Sequence, residues 1–351
     1  MRSVLLLAAA MPLAAQLSPT QIEALERAAM RHMSAELVPG LSVAVATGEG
    51  PVWSAAWGFA DLENHVPATP RTVFRLASIS KAVTAVAAMT LVEQGRLSLD
   101  APVQDYVRFP RKQWPITTRQ LLGHQAGIRH YKGGDFDSTR HFPSVMAALE
   151  VFARDPLEHE PGTKYLYSTY GFNLAGAVVE QVAGMPYEEW VRERILTPAA
   201  VYSMQQDGVY RVIPHRARGY RLGKTGILEN CSLADTSNKL PGGGWVANAS
   251  DLVRFARALM EGTILKQASL DEMWKPGFLR DGKPTHYGLG WNVQNENGVF
   301  VVQHSGGQQG ASTHLLLVPA SKTAIAVLAN LEGGKAIDLA REFARIVAET
   351  K

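Results

Sequence analysis

Cysteine is almost absent from this chain of 351 residues, which contains only Cys231. One cysteine cannot form an intrachain disulfide, so we expect a fold that needs no covalent cross-link. Charged residues make up only 19% of the chain, and its 35 basic and 32 acidic residues are spread evenly. No dense basic run with interleaved aromatic residues occurs, so we expect no nucleic-acid partner.

Long hydrophobic runs are also missing, so we expect no transmembrane span. The N-terminus combines Arg2, an apolar stretch over residues 4–10 and small residues near Ala15. This pattern is typical of a secretory signal peptide, although a frayed apolar terminus or a retained anchor would look similar. We therefore predict a signal peptide over residues 1–15 and an exported protein, in the bacterial periplasm or outside the cell.

Metal and nucleotide motifs are not present in the sequence. There is no H-E-x-x-H motif, and the ten histidines show no ligand spacing. There is no G-x-x-x-x-G-K-[ST] phosphate loop, and residues 242–244 lack the strand-before, helix-after context of a dinucleotide site. The absence of G-x-S-x-G disfavours the α/β-hydrolase fold. We expect neither a metal nor a cofactor.

The order of strand and helix patterns predicts the architecture. Hydrophobic residues make up 46% of the chain, enough for one large domain or two closely associated ones. Strand patterns lie at both chain ends, with helical patterns between them. We therefore predict an α/β fold of the α+β type, with an antiparallel sheet from both chain ends, flanking helices and a mostly helical inserted domain. The sheet domain would hold residues 16–81 and 236–351, the insert residues 82–235, and a cleft between them the functional site.

Apolar periodicity defines the individual elements. The predicted strands cover residues 41–46, 52–57, 287–293, 299–303, 313–319 and 323–330. The predicted helices cover residues 17–33, 79–95, 117–123, 143–153, 172–183, 186–195, 250–261 and 335–349. The helix over 79–95 has little polar surface, so we expect it to be buried.

An S-x-x-K pattern, Ser78 to Lys81, begins that buried helix. Residues three apart share a helix face, so the lysine amine would lie beside the serine hydroxyl. A serine nucleophile needs a base, and a lysine serves as one when burial lowers its pKa. The helix N-terminus would also direct free amides at a developing oxyanion. The alternative is that Ser78 caps the helix and Lys81 lies on the surface.

A second candidate lies in the tyrosine-rich loop that precedes the predicted helix over 172–183. It contains Tyr165, Tyr167 and Tyr170. A phenol close to a cationic lysine can acquire a lowered pKa and transfer protons. The alternative is a tyrosine of the protein core, and the sequence alone does not choose among the three.

A third candidate is the segment His304-Ser305-Gly306-Gly307, which closes a predicted strand. Small residues at a strand edge let a substrate backbone approach closely, and one amide there could complete an oxyanion hole. The alternative is a glycine-rich hairpin turn. His124 and His130 flank another loop, where we expect structural roles for both.

In this order, the three candidates resemble the serine β-lactamase and penicillin-binding superfamily, and within it the class C β-lactamase-related branch. That branch includes family VIII carboxylesterases, D-amino-acid peptidases and LACTB-type serine proteases. The resemblance covers nearly the whole mature chain. Supporting segments are residues 39–45, 116–131, 165–171, 242–252 and 287–291.

The resemblance implies a role for each candidate. Ser78 matches the nucleophile and Lys81 its lysine, while Tyr167 matches the tyrosine of the Tyr-x-Asn element. Residues 304–306 match the Lys-Thr-Gly strand element, in the His-Ser/Thr-Gly form. The amides of Ser78 and Gly307 would then form the oxyanion hole.

Two departures from the family pattern bear on the substrate. Thr169 stands where the Tyr-x-Asn element has asparagine, and Asn173 is out of phase with that position. Threonine offers one donor where an amide offers two donors and a carbonyl. His304 replaces a lysine and so removes a permanent positive charge that would attract a substrate carboxylate. Both changes disfavour strong β-lactam hydrolysis.

We therefore predict a serine acyl-hydrolase that cleaves an ester or amide through an acyl-enzyme on Ser78. One alternative is a class C-like β-lactamase or D-alanyl-D-alanine carboxypeptidase, which would act on a lactam or peptide carbonyl. Another is a non-catalytic scaffold or peptidoglycan-sensing module. The sequence does not fix the physiological substrate or the oligomeric state.

Overall fold

The computed structural model describes residues 16–296 and 298–349, and the predicted signal peptide lies outside the described residues. The strands are β1 (Gly40–Ala46), β2 (Trp53–Asp61), β3 (Val66–Pro67), β4 (Phe74–Arg75), β5 (Gln205–Gln206), β6 (Tyr220–Leu222), β7 (Leu228–Asn230), β8 (Trp245–Ala247), β9 (Asn292–Glu296), β10 (Val299–Gln308), β11 (Ala311–Val318) and β12 (Thr323–Ala329). The α-helices are α1 (Pro19–Glu36), α2 (Ser80–Glu93), α3 (Thr118–Leu122), α4 (Val145–Ala148), α5 (Thr169–Ala183), α6 (Tyr187–Val191), α7 (Leu240–Gly243), α8 (Ala249–Met260), α9 (Gln267–Met273) and α10 (Ala336–Ala348).

A seven-stranded antiparallel sheet organises the molecule, in the order β3-β2-β1-β12-β11-β10-β9. Both chain ends supply its strands, as the sequence predicts. Every residue of β1 and β12 is buried, because α8 packs against these two strands and α1 and α10 form a second layer with the sheet. This covering on both faces explains their almost continuous apolar sequences.

The terminal helices are tied together as well as packed on the sheet. Ser18 caps α1 by accepting from the Gln21 amide, and the Gln21 side chain reciprocates at the Ser18 amide. The Gln21 amide nitrogen also donates to the carbonyl of Val347 in α10, at 3.2 Å. The chain ends therefore close one layer over the sheet.

Helix α2 lies in the interior between the sheet and the helical segment. All twelve of its residues from 80 to 91 are buried, which confirms the predicted buried helix. It contacts α5, α6, α7 and α9. The 3₁₀ turn Ala77–Ile79 leads into α2 and packs against β10 and β11. This turn joins the helical part of the molecule to the sheet.

The predicted strand over residues 287–293 is wrong except at its end, because β9 begins at Asn292. The preceding segment forms hydrogen bonds with loop and helix ends instead. The Leu289 amide donates to the Met273 carbonyl, and the Gly290 amide donates to the Leu122 carbonyl. Gly290 has a φ of +81°, and a Cβ there would lie 2.4 Å from the Ala85 Cβ of α2. The glycines thus bend the chain tightly against helices.

Two further predicted boundaries differ from the structure. Strand β10 continues through residues 304–307 to Gln308, so the glycine-rich hairpin turn proposed for these residues is wrong. The predicted helix over 143–153 consists only of α4 and a following 3₁₀ turn, Leu149–Val151. No helix within residues 16–296 and 298–349 is long and apolar enough to cross a membrane.

Candidate active site

Ser78 lies in the turn at the N-terminal end of α2, partly open to solvent. The residue before it, Ala77, has a φ of +49°, a left-handed conformation that alanine rarely adopts. Such conformations persist where surrounding structure enforces them and are concentrated at functional sites. Here the turn is fixed by β8, since the Leu76 amide donates to the Trp245 carbonyl at 2.8 Å.

The Lys81 side chain points back along α2 toward Ser78. Its Nζ lies 3.1 Å from the Ser78 Oγ, 3.0 Å from the Thr169 Oγ1 and 2.7 Å from the Gly242 carbonyl oxygen. Three elements therefore fix one amine: α2, the start of α5 and the short helix α7. Lys81 is fully buried, which excludes the alternative of a surface lysine.

Burial sets the charge of Lys81. Loss of solvation holds its pKa well below the usual range, and the positive charge of Lys239 lowers that pKa further. None of the ion pairs among the described residues involves Lys81. A neutral amine has two N–H donors and one lone pair. The Gly242 carbonyl and Thr169 Oγ1 accept the two hydrogens, which leaves the lone pair for the Ser78 hydroxyl.

Tyr167 is the tyrosine of the loop that reaches this centre. Its ring centroid lies 4.7 Å from the Lys81 Nζ and 4.3 Å from the His124 ring centroid. Tyr165 is more exposed and packs against Tyr287, whereas Tyr170 is buried and stacks on Phe152. Of the three tyrosines, Tyr167 is thus the one that lies beside the Lys81 amine.

The charge state of Tyr167 differs from the prediction. We predicted that a nearby lysine would lower the pKa of the phenol. Burial instead raises the pKa of Tyr167 well above its usual value, because the charged tyrosinate would lose solvation. Burial also lowers the pKa of Lys81 and so favours its neutral form, which offers no charge to stabilise a tyrosinate. The site therefore pairs a neutral amine with a protonated phenol.

Thr169 occupies the place beside Lys81 through its hydroxyl, as described above. Asn173, by contrast, is buried in α5, where its side-chain nitrogen donates to the Asn238 carbonyl at 2.5 Å. This contact agrees with the prediction that Asn173 does not replace the missing asparagine. The Thr169 amide donates to His130 Nδ1 at 3.2 Å, so the loop before α5 is held from both sides.

Strand β10 forms the other wall of the site. Its pairing with β9 ends at Gln303, and the following residues have no strand partner on that edge among the described residues. A Cβ on Gly306 would lie 2.2 Å from the Leu76 carbonyl oxygen, so this glycine permits close approach to the turn that carries Ser78. Gly307 is exposed, and a Cβ there would meet nothing within 4 Å. These positions suit a substrate lying along the strand edge.

His304 is buried on the opposite side of β10 from Ser305. Its Nδ1 lies 2.7 Å from the Ser305 carbonyl oxygen and its Nε2 lies 2.9 Å from the Tyr287 hydroxyl. Burial lowers the pKa of His304 to about 3. His304 is therefore neutral and supplies no positive charge at neutral pH.

His124 and His130 act within the supporting structure, as the sequence predicts. His124 Nδ1 accepts from the Ser168 amide at 3.1 Å, and its ring lies 4.3 Å from the Tyr167 ring centroid. Burial lowers the pKa of both histidines, to about 4 for His130. No group of three or more histidine, cysteine or acidic residues gathers as a metal site within residues 16–296 and 298–349.

Two groups that act on Lys81 were not predicted from the sequence. One is the Gly242 carbonyl, a backbone group that no side-chain motif reveals. The other is Lys239, which is fully buried and donates to the Phe136 carbonyl at 3.1 Å and to Gln309 Oε1 at 3.4 Å. Its ammonium also lies 4.6 Å from the Phe136 ring centroid. A lone lysine before a proline- and glycine-rich turn gives no sequence signal of burial.

Fold and site together define a serine hydrolase. The chain belongs to the beta-lactamase family, whose sequence model matches residues 23–349. It is 30% identical to the human mitochondrial serine beta-lactamase-like protein LACTB, over 80% of this chain and 69% of that protein.

Solved structures extend the likeness to the whole fold. The octameric penicillin-binding protein homologue from Pyrococcus abyssi superposes with a TM-score of 0.80 and 26% identity, covering 93% of this chain and 77% of that one. The D-amino acid amidase from Ochrobactrum anthropi SV3, in a complex with L-phenylalanine amide, gives a TM-score of 0.80 and 25% identity, covering 94% and 98%. These relatives confirm the predicted superfamily and fold class.

Proposed function

We propose that this protein hydrolyses esters or amides through an acyl-enzyme on Ser78. The observation that carries the proposal is the environment of the Lys81 amine, which is buried, without an acidic partner and 3.1 Å from the Ser78 Oγ. A serine hydroxyl becomes an effective nucleophile when an adjacent base accepts its proton. The three contacts of Lys81 leave its lone pair directed at that proton.

In the first half of the reaction, Lys81 accepts the Ser78 proton while the Ser78 oxygen attacks the substrate carbonyl. The carbonyl oxygen becomes an oxyanion, which the backbone amides of Ser78 and Gly307 would stabilise. Such a donor typically contributes about 3 kcal/mol to transition-state stabilisation. The resulting ammonium on Lys81 is stabilised by the Gly242 carbonyl and by Thr169.

In the second half, the leaving group takes a proton and departs. Tyr167 is protonated and adjacent to Ser78, so it is suited to donate that proton and to be restored by Lys81. Water then attacks the acyl-enzyme, with Lys81 again accepting a proton. The carboxylic acid product leaves and Ser78 is regenerated.

The neutral state of His304 favours an esterase or amidase over a β-lactamase or carboxypeptidase that binds a substrate carboxylate. Neutral histidine lacks the long-range attraction that a permanent cation exerts on an anion. The amide ligand of the related D-amino acid amidase structure is compatible with this choice. The scaffold alternative is disfavoured because Lys81 lies within hydrogen-bonding distance of Ser78 and the Tyr167 ring lies next to the same amine.

Covalent labelling tests the proposal. Purified protein is treated with a fluorophosphonate, and intact mass and peptide mapping locate the adduct. We expect one adduct, on Ser78, and none in Ser78→Ala. Lys81→Met should lose labelling, whereas Lys112→Met, at a lysine that donates to the Ala153 and Asp155 carbonyls outside the site, should label normally.

An adduct on another residue, or normal labelling of Lys81→Met, would overturn the assignment. Hydrolysis of aryl esters and aryl amides is then compared with hydrolysis of nitrocefin. Faster turnover of nitrocefin than of any ester or amide would favour the β-lactamase alternative. Acylation of Ser78 without turnover of any substrate would favour the scaffold or sensing alternative.

A further inference from the structure

A pocket of about 610 Å³ lies where helices α4, α5, α6 and α7 meet. Apolar and aromatic side chains contribute to its lining, among them Phe142, Val145, Met185, Pro186, Tyr187 and Leu240. Of these, Phe142, Val145, Tyr187 and Leu240 are buried, so they form the deep part of the wall. A pocket of this volume, with apolar walls and a few polar groups, suits a small organic molecule.

Helix α5 connects this pocket to the candidate active site and also separates the two. Its first residue, Thr169, contacts the Lys81 Nζ, whereas Glu180 lines the pocket near the other end of the helix. At the helical rise per residue, positions 169 and 180 are about 16 Å apart. Ser78, Lys81 and Tyr167 are not among the residues that line the pocket. The pocket is therefore distinct from the candidate active site.

The pocket has an excess of negative charge. Its charged lining residues are Glu180, Glu188 and Arg211. Arg211 and Glu188 neutralise each other, because the two guanidinium nitrogens each donate to one Glu188 oxygen at 2.9 Å. No ion pair within residues 16–296 and 298–349 involves Glu180. The pocket therefore favours a cation over an anion.

Glu180 is half-buried and fixed in position, but it lacks a cationic partner. Its Oε2 accepts from the Tyr187 amide at 3.1 Å, at the start of α6. Burial raises the pKa of Glu180 above its usual value, because the carboxylate has lost part of its solvation. An ammonium group in the pocket would supply both an opposite charge and N–H donors to this carboxylate.

We propose that this pocket is a second ligand site of the protein and that it binds a small amphiphilic amine. The ammonium would pair with Glu180, and the hydrocarbon part would lie against the apolar wall that includes Met185 and Leu240. An anion would be repelled by the Glu180 carboxylate, and a neutral molecule would leave that carboxylate without a cation. The inference goes beyond the proposed acyl transfer and does not depend on Ser78.

The ligand class is tested in the wild-type protein by ligand-observed NMR titration with n-hexylamine and n-hexanol at neutral pH. The two probes share one hydrocarbon chain and differ only in the polar group. We expect hexylamine to bind about tenfold more tightly than hexanol, the value of one charge-assisted hydrogen bond. n-Butylamine should bind about tenfold more weakly than hexylamine, because it buries two fewer methylene groups.

Glu180→Gln separates the charge of the pocket from its shape. Glutamine retains an acceptor for the Tyr187 amide but carries no charge. We expect this variant to bind hexylamine about tenfold more weakly and to bind hexanol like the wild type, so hexanol also reports that the pocket is intact. Glu261→Gln, at an acid that pairs with Arg257 outside the pocket, should bind hexylamine like the wild type.

Undetectable binding of hexylamine to the wild-type protein, or equal affinities for hexylamine and hexanol, would overturn the inference. Undiminished hexylamine affinity in Glu180→Gln would do the same. Ser78→Ala should bind hexylamine like the wild type, and loss of binding in that variant would assign the amine to the active site instead. Fluorophosphonate treatment of the same wild-type sample tests the proposed function separately, since amine binding with an unlabelled Ser78 means that only that function fails.

Discussion

Lys81 is surrounded by titratable groups, but few of them carry charge. Its neighbours His124, His130 and His304 all have pKa values lowered by burial, so they are neutral at neutral pH. Lys239 is different, because its pKa is lowered only to about 8 and it remains largely protonated below that pH. It is the cation that acts on Lys81.

This arrangement predicts how the pH profile responds to Lys239. Activity requires neutral Lys81, so kcat/KM should rise with pH through the lowered pKa of Lys81 and then level off. Lys239→Met removes a positive neighbour, which favours protonated Lys81 and should move the rising limb to higher pH. Lys239→Arg keeps the charge and should restore the wild-type profile. An unchanged limb in Lys239→Met would remove Lys239 from the electrostatics of the site.

Tyr167 should matter according to the leaving group. An alkoxide or amide anion needs a proton on departure, whereas a nitrophenolate does not. Tyr167→Phe should therefore reduce kcat for anilides and alkyl esters by about 10²-fold or more, and for nitrophenyl esters much less. Tyr165→Phe, which changes the more exposed neighbour, serves as the control. Equal losses on both substrate types would indicate a structural role instead of proton donation.

At the scale of elements, two adjacent glycines of β10 differ in the space around them, and only Gly306 is required by close packing. Gly306→Ala would place a methyl group 2.2 Å from the Leu76 carbonyl and 2.3 Å from the Thr313 hydroxyl, so strand and turn must separate. We expect a loss of about 3 kcal/mol in the free energy of unfolding and loss of Ser78 labelling. The methyl group of Gly307→Ala would point into open space, so this variant should unfold like the wild type in urea. Similar urea curves for both variants would contradict this contact.

Some helices and strands can be predicted from the sequence, and others cannot. Helix α2 and strands β1, β11 and β12 follow from periodicity, because each buries a regular set of apolar side chains. The extension of β10 through Gly306 and Gly307 does not, since glycine has low strand propensity and only pairing with β11 holds it. The bend before β9 likewise depends on contacts with distant helices.

The candidate site likewise combines a contact that the sequence predicts with contacts that it does not predict. The spacing of Ser78 and Lys81 on one helix predicts their contact, because helix geometry is local. Tyr167, Gly242 and Lys239 reach Lys81 only through the packing of α5 and α7 against α2, so no pattern in their own segments chooses them. The pKa of Tyr167 was mispredicted for this reason, since burial is a tertiary property.

At the scale of the whole molecule, a buried ion cluster connects the wall of the site to a distant loop. Asp207 is almost fully buried and pairs with Arg75 Nε at 2.7 Å and with Arg216 at 2.9 Å. Arg75 precedes the Ser78 turn and also donates to the Gln309 carbonyl at 3.1 Å, at the end of β10. Asp207 thus holds the arginine that joins both walls of the site.

Removing this carboxylate should weaken fold and site together. Asp207→Ala leaves two guanidinium groups without their buried partner, for which we expect a loss of about 3 kcal/mol in the free energy of unfolding in urea. Asp281→Ala breaks the exposed pair with Lys283 and should unfold like the wild type, because solvent screens that pair. Since Arg75 would no longer be fixed, we also expect slower fluorophosphonate labelling of Ser78 in folded Asp207→Ala. Wild-type stability and labelling in that variant would show that the walls are held independently of Asp207.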